Sequence, residues 1–385
     1  MVISYILFII YEKIINYMYL KKITLKNFRN YNNIEIPFKM GNNLLIAENG
    51  MGKTNIIEAI YMLGFMKSFK PVLDKDIIKQ GEDSFFLKGV FEDKNIESLI
   101  SIGVSKDKKL VTYNENKIKN ISSLIGILKL VIFTQDDIQL ITGSPSIRRK
   151  NLDITLSLAN RQYFNLVLKY RKIIKQRNNY LKKMTNDYYS RDLIKVWDEQ
   201  LIETGSSIIS IRKEFFNPIN EITTTLYNAL SFNITNFHLS YLSSIGNLSG
   251  NISIKDQLKK KLNENRDKEM FYKQTLYGPH KDDFRIRSGN TDFKRFASQG
   301  QNRAGALTLK LAMTKYIETM SDTKTILLMD DILLDLDNKK KDKFLSLVDG
   351  RQNIFTSTSL NGFDNIIHDS LIYTIKENNL LLYSN

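Results

Sequence analysis

An α/β fold of mixed β-sheets interrupted by a helical insertion is what this 385-residue chain predicts, on three observations. A strand-loop-helix stretch over residues 42–65 carries a glycine-rich loop. A short apolar run at 324–329 ends in two carboxylates, Asp330-Asp331. Between them, from about Ser146 to Tyr227, long charged helical periodicity replaces the short alternating strands on either side.

Asn42-Asn43-Leu44-Leu45-Ile46 reads as a strand, Ala47-Glu48-Asn49-Gly50-Met51-Gly52-Lys53-Thr54 as a loop, and Asn55 to Phe65 as an apolar-periodic helix. This is the context that a phosphate-binding P-loop requires. Gly50 and Gly52 let the backbone turn its N–H groups around a phosphate, the helix start adds its positive end, and Lys53 reaches the terminal phosphate oxygens. Thr54 is then the hydroxyl for Mg²⁺, and Ala47 to Thr54 the cofactor-binding set. The consensus opens with Gly where this chain has Ala47; the plain alternative is an ordinary glycine-rich turn before a helix.

In Phe296-Ala297-Ser298-Gln299-Gly300-Gln301-Asn302-Arg303, Ser298 and Gln301 have capping-box spacing ahead of the helical run Ala304 to Glu318. Ser298, Gln299, Gly300 and Gln301 also have the form of the signature by which ABC-type ATPases offer a hydroxyl and N–H groups to the γ-phosphate of ATP held by another subunit. Taken alone, the stretch supports cap and signature equally. Lys324 to Met329 is typical of a strand buried on both faces, and Asp330-Asp331 fall at its carboxyl end, where open α/β sheets bind ligands. Asp330 is placed to hold Mg²⁺ through its water shell, and Asp331 to orient or deprotonate the attacking water, with Lys53 as the other catalytic residue. A helix N-cap pair is the alternative. The three stretches together predict an ABC-type P-loop ATPase head with ATP and Mg²⁺ at a site shared by a homodimer that ATP closes and hydrolysis releases.

On these motifs the chain resembles the RecF family, the bacterial recombination mediators related to Rad50 and SMC heads. The resemblance runs almost end to end. It includes Met18 to Ile23 and Leu25 to Tyr31, Asn49 to Ile60, Gly143 to Arg149 with Leu152-Asp153, Gly278-Pro279-His280-Lys281-Asp282-Asp283-Phe284, Ser298 to Arg303 and Asp330 to Asp337. It implies a weak DNA-dependent ATPase acting on single-strand and duplex DNA at gaps or junctions, aiding recombinase loading with RecO- and RecR-type proteins. It also implies a cytoplasmic location without stable membrane association. Leu334-Asp335-Leu336-Asp337 departs from the usual Ser-Glu-Leu-Asp, removing the Ser that would face the partner subunit. Gln135 stands where Pro is usual, and Thr356-Ser357-Thr358 where transporter relatives carry a switch His; there a substituting hydroxyl competes with an ordinary strand-end turn.

Composition agrees. The absence of cysteine excludes a disulfide scaffold and fits a reducing compartment, while His238, His280 and His368 are too scattered for a metal cluster. The net charge of +15 biases the chain toward polyanions. Arg148-Arg149-Lys150, Arg171-Lys172 with Lys175 and Arg177, and Lys259-Lys260-Lys261 are candidate phosphate contacts, each also readable as a solvated face. Met1 to Ile10 is apolar but shorter than the roughly twenty residues of a spanning helix, and it lacks the marks of a signal peptide. Residues 1–17 therefore read as an extension outside the fold, with an interfacial anchor as the alternative.

Punctuation divides the rest into 18–145, a head lobe with the P-loop; 146–275, a mainly helical arm; and 276–385, the head's return with signature and acidic strand. Within the arm Gln162 to Lys183, Leu193 to Phe216 (broken by Pro218) and Lys255 to Lys273 read as helices. His280, Asp282 and Asp283 read as structural, Arg29 and Asn30 equally as turn or nucleotide contacts. Two other functions fit less well: a transport-coupling ABC ATPase, against which the insertion argues, and a DNA-binding scaffold using ATP as a conformational ligand without turnover.

Overall fold

The computed structural model describes residues 17–184, 188–230, 237–289, 291–376 and 379–382. It divides into two compact units, one formed by the chain up to Asp136 together with 318–385, the other by Asp137–Ile317. The reading of residues 1–17 lies, but for Tyr17, outside the described residues. Strands β1 (Met18–Phe28), β2 (Tyr31–Pro37), β3 (Asn42–Ile46), β4 (Ser84–Asp93), β5 (Ile96–Ser105), β6 (Lys109–Tyr113), β7 (Asn116–Lys117) and β8 (Leu130–Phe133) open the first unit. The second holds β9 (Phe237–Leu242), β10 (Asp283–Ser288) and β11 (Thr291–Asp292). The first resumes with β12 (Ile326–Asp330), β13 (Asn353–Ser357), β14 (Ser370–Lys376) and β15 (Asn379–Leu382).

Two six-stranded sheets build the first unit. One is antiparallel, in the order β2-β1-β4-β5-β6-β7. In β1 the buried side chains Met18 and Leu20 are out of phase with Ile23 and Leu25, and a register shift between Leu20 and Lys22 against β4 absorbs the extra residue. The other sheet runs β15-β14-β3-β13-β12-β8 and is parallel except for its hairpin strand β15. Its inner strands are covered on both faces: β13 is buried throughout, polar ends included, and β12 is apolar and buried up to its last residue, Asp330. The helix Lys53–Phe65 has an almost wholly buried surface and packs against strands of both sheets. Gln352, fully buried, joins distant strands by accepting from the Leu20 N–H at 2.7 Å and donating to the carbonyls of Leu20 and Lys39.

The second unit is the arm: helices Pro145–Ala159, Arg161–Lys183 and Tyr188–Ala229 with the small sheet β11-β10-β9. Three sequence expectations are corrected here. Pro218 does not end its helix, which continues to Ala229. Phe215, Phe216 and Ile219 are all buried around it, and the Asn220 side chain fastens the following turn to Leu239 through both its N–H and its carbonyl. The run Lys255 to Lys273 is two helices, Ile254–Glu264 and Arg266–Tyr272, because Asn265 leaves helical geometry and carries its amide to the Lys261 carbonyl. Packing also draws the boundary at 317 rather than 275, so Gly278–Phe284 and Ser298–Gln301 belong to the same unit as the arm.

Buried arginines explain that boundary. Arg148 forks onto Asp283 with two 2.8 Å bonds, Arg149 reaches the Asp282 carbonyl, and Arg212 binds both the Pro279 carbonyl at 2.6 Å and Asp153 at 2.7 Å. Arg177 is wholly buried and serves Asp198, Thr275 and Glu269. Arg148, Arg177 and Arg212 are buried and committed to the fold, which removes Arg148 and Arg177 from the candidate phosphate contacts; Arg149 is half-buried and keeps part of its guanidinium at the surface. Lys150, Lys172, Lys175, Lys259 and Lys260 remain exposed.

His280 sits inside this network. Its Nε2 faces the Thr275 carbonyl at 3.0 Å and therefore donates, leaving Nδ1 to accept from the Tyr170 hydroxyl at 2.8 Å. Burial lowers its pKa from 6.5 to about 4, with nearby cationic side chains acting in the same direction. The unfolded chain consequently binds a proton between those values that the folded state refuses. Stability of the second unit is expected to fall as pH drops through that window, by on the order of 3 kcal/mol at the acid end. Asp282, pushed up by burial, opposes the loss at the lowest pH. Urea unfolding at stepped pH checks the slope, which His280→Gln is expected to remove.

A candidate nucleotide site at the carboxyl edge of the mixed sheet

Register places the site. Ile46, the last residue of β3, pairs with Ser357 of β13, and Thr356 pairs with Asp330, the last residue of β12, so the P-loop and the acidic pair leave the same edge of one sheet. The strand is as the sequence predicts, while the helix begins two residues sooner, at Lys53. Gly50 and Gly52 both take left-handed φ, +83° and +95°. At Gly52 a Cβ would also lie 2.6 Å from Asn30 Nδ2 and 2.7 Å from the Tyr31 hydroxyl, so no other residue fits. Ala47, the departure from consensus, is not left-handed, and its N–H bonds to the Ser357 carbonyl at 3.1 Å. A methyl group at that position asks nothing unusual of the backbone.

The Lys53 ammonium, nearly buried, folds back onto the loop carbonyls of Ala47 at 2.6 Å and Glu48 at 3.2 Å. The helix it opens has no side-chain cap and no acidic residue in its first turn, which leaves the Lys53 and Thr54 N–H groups available to an anion, while that of Asn55 bonds to the Gly52 carbonyl at 2.9 Å. Beside it the Thr54 hydroxyl donates to Asp330 Oδ1 at 3.0 Å. Thr356 donates to the same oxygen at 2.8 Å and accepts the Asp331 N–H at 3.0 Å. Burial raises the Asp330 pKa, partly offset by those two hydroxyls, and the neighbouring Asp331 charge adds to the rise. Asp331 is left-handed at φ +52°, and its Oδ1 is buried without a partner.

Lys53, Thr54, Asp330 and Asp331 are thus brought together in the first unit. A cationic amine, uncapped helix N–H groups, a hydroxyl on a carboxylate and an orphaned carboxylate oxygen fit a nucleotide phosphate with its Mg²⁺. Among the described residues no group of three or more His, Asp or Glu side chains could hold a metal by itself. Ser298–Gln301 form a separate element of the second unit. Ser298 Oγ accepts the Gln301 N–H at 3.2 Å, and Gln301 Oε1 accepts the Ser298 N–H at 2.8 Å, the predicted capping box. Ser298, Gln299 and Gly300 are exposed.

Sequence reasoning left one contributor open and missed another. Thr356, where a substituting hydroxyl competed with a strand-end turn, is a strand residue whose hydroxyl donates to Asp330 and accepts the Asp331 N–H. Glu58, on the P-loop helix, is fully buried and takes two bonds from Arg29, at 3.0 and 2.7 Å, and one from Ser68 at 2.5 Å, with Lys70 at 3.6 Å. Arg29 is therefore occupied by the fold, and Asn30 accepts from Asn55 at 2.8 Å. The side chains of Leu334 and Asp335 lie outside the described residues.

The parallel strand order, the P-loop between β3 and its helix, and the acidic end of β12 define a P-loop nucleotide-binding head. The chain belongs to the RecF/RecN/SMC N terminal domain family, which matches residues 19–377, and within it to the RecF proteins. It is 34% identical to the DNA replication and repair protein RecF of Clostridium perfringens over 89% of this chain and 94% of that one. To the RecF of Clostridium acetobutylicum it is 33% identical over 95% of this chain and 100% of that one. A solved structure of the recombination mediator protein RecF-ATP in the RecFOR pathway superposes with a TM-score of 0.87 at 31% identity, covering 96% and 98% of the two chains. The Smc head domain of Pyrococcus furiosus, at 16% identity and a TM-score of 0.54 over 96% of each chain, shares the fold. Among the described residues no helix is long and apolar enough to cross a membrane.

Proposed function

We propose that this protein is an ATP-gated DNA-binding ATPase of recombinational repair and replication restart, dimeric when ATP is bound. The observation that carries the reading is the 3.0 Å bond from Thr54 to Asp330, which draws P-loop and acidic strand into one site. It agrees with the names of the RecF relatives. ATP supplies the phosphoanhydride bond, and Mg²⁺ the charge that offsets its oxygens. Lys53 and the N–H groups of the loop hold the phosphates in place. Thr54 and Asp330 would hold the metal, and Asp331 holds the attacking water and takes up its proton as the phosphoanhydride bond breaks. Ser298 to Gln301 close the same site from a second copy, so that ATP favours the dimer through its differential affinity for the closed state. DNA binds through backbone phosphates at gaps and junctions, where RecO- and RecR-type partners act with it, in the cytoplasm.

Steady-state ATP hydrolysis, with and without duplex DNA at low salt, tests this. DNA-stimulated turnover is expected, with Lys53→Ala reducing kcat by on the order of 10²–10³-fold. Nucleotide binding without turnover would instead establish the scaffold reading, toward which Leu334 in place of the usual Ser points.

A further inference from the structure

We propose that Phe271 and Tyr272, on the second unit, form a platform on which unpaired bases of single-stranded DNA stack. The inference rests on the DNA-binding reading above and names the surface that separates single strand from duplex. Phe271 is 78% exposed, the most exposed large apolar side chain among the described residues, and Tyr272 is 58% exposed. Their rings meet edge to face, with centroids 5.1 Å apart and planes at 85°. Lys268 lies three and four residues before them, hence on the same helix face, and Lys273 follows directly; both lysines are exposed.

The rings contribute little to the core, yet their mount is rigid. The carbonyl of Glu269 accepts the N–H groups of Lys273 and Gln274, closing the turn that carries them. The carboxylate of Glu269, fully buried, accepts from Arg177 at 2.5 Å and from the Leu276 N–H at 2.8 Å. Arg177 also donates to Thr275 Oγ1 at 2.8 Å, and the Thr275 N–H donates to Asn178 Oδ1 at 2.8 Å. An exposed aromatic pair already fixed by buried charges loses little entropy on binding. Lys268 and Lys273 outnumber the exposed Asp267 beside the rings, and with a net charge of +15 they favour a polyanion over an apolar protein surface. Among nucleic acids, one with unstacked bases can use ring faces, whereas duplex bases remain inside the helix.

The test is fluorescence anisotropy of oligothymidine, a gapped duplex and a blunt duplex on the full chain with ATP. It compares wild type with two double variants, Phe271→Ala/Tyr272→Ala and Phe271→Leu/Tyr272→Leu, the second keeping apolar bulk without ring faces. Both double variants are expected to bind single strand and gap about 5- to 100-fold more weakly, with duplex affinity within about twofold of wild type. Equal loss on duplex, no loss on any DNA, or full retention by the leucine variant overturns the proposal, the last two leaving a protein-docking surface. Failure of wild type to bind any DNA overturns the functional reading itself, before a variant is made. Photo-cross-linking of wild type to 5-iodouracil single strand gives a readout independent of variant folding: the adduct is expected on the peptide carrying Phe271 and Tyr272, and its consistent appearance elsewhere overturns the assignment.

Discussion

Asp331→Asn is expected to stop ATP turnover while nucleotide binding and ATP-dependent dimerisation persist. Asp330 and Asp331 are adjacent in sequence but differently employed. One oxygen of Asp330 takes the hydroxyls of both Thr54 and Thr356, which in the proposed mechanism sets that carboxylate beside the cation rather than the water. Asp331 turns away from the strand in a left-handed conformation fixed by the bond from its N–H to Thr356, and its Oδ1 is buried with nothing to accept from. An orphaned buried acceptor at a ligand edge is a base in waiting. Asparagine tolerates the left-handed backbone and keeps the volume, so the loop is preserved while the basic oxygen is lost. The expected loss in kcat is on the order of 10²–10⁴-fold, with the dissociation constant for ATP close to wild type. Rapid-quench turnover alongside light scattering with ATP measures both quantities, and a variant that still hydrolyses at the wild-type rate would remove Asp331 from the chemistry. Lys53→Ala is the contrasting case, because it loses the phosphate contact and dimerisation with it.

The local geometry of the proposed nucleotide motifs was legible because each needs an arrangement that the sequence itself specifies. β3 ends where its apolar residues give way to the loop, Gly50 and Gly52 announce left-handed backbone, and the continuous apolar run before Asp330 announces a strand covered on both faces. What stayed hidden depends on partners far along the chain. Thr356 acquires its role only through register, which sets it opposite Asp330, 26 residues away. Glu58 looks like a surface residue in an apolar helix until Arg29, Ser68 and Lys70 converge on it. Charge runs misled for the same reason. Arg148, Arg149 and Arg177 read as a basic surface, yet their acceptors sit on segments from 21 to 135 residues distant. Pro218 shows tertiary packing overriding a local breaker, since buried Phe215 and Phe216 before it and buried Ile219 after it anchor the helix, which continues through it.

Removing the Glu58 carboxylate is expected to produce the largest stability loss in the first unit. The carboxylate is fully buried on the helix that carries Lys53 and Thr54, and it holds Arg29, itself left-handed at φ +54° in the turn after β1. Burial pushes the Glu58 pKa up, but the bonds from Arg29 and Ser68 and the charge of Lys70 outweigh it, leaving the pKa below its ordinary 4.5. A depressed carboxyl contributes stability that is complete above its unfolded pKa and is lost as pH falls through the folded one. Glu58→Ala at neutral pH therefore leaves Arg29 in a site built for a counter-ion, with only the Asp76 carbonyl at 3.1 Å still accepting from it. A loss of about 3–5 kcal/mol follows, or a melting temperature lower by roughly 10 °C. Glu58→Gln keeps the shape and one acceptor, and its loss is expected to be smaller. The solvent-facing pair Lys106 and Asp83 is the control: breaking it with Asp83→Ala is expected to leave the melting temperature unchanged, because water already solvates both charges. Differential scanning calorimetry at neutral pH separates these cases. Equal, negligible shifts for Glu58→Ala and Asp83→Ala would mean that Arg29 finds other partners and that the P-loop helix is positioned by apolar packing alone.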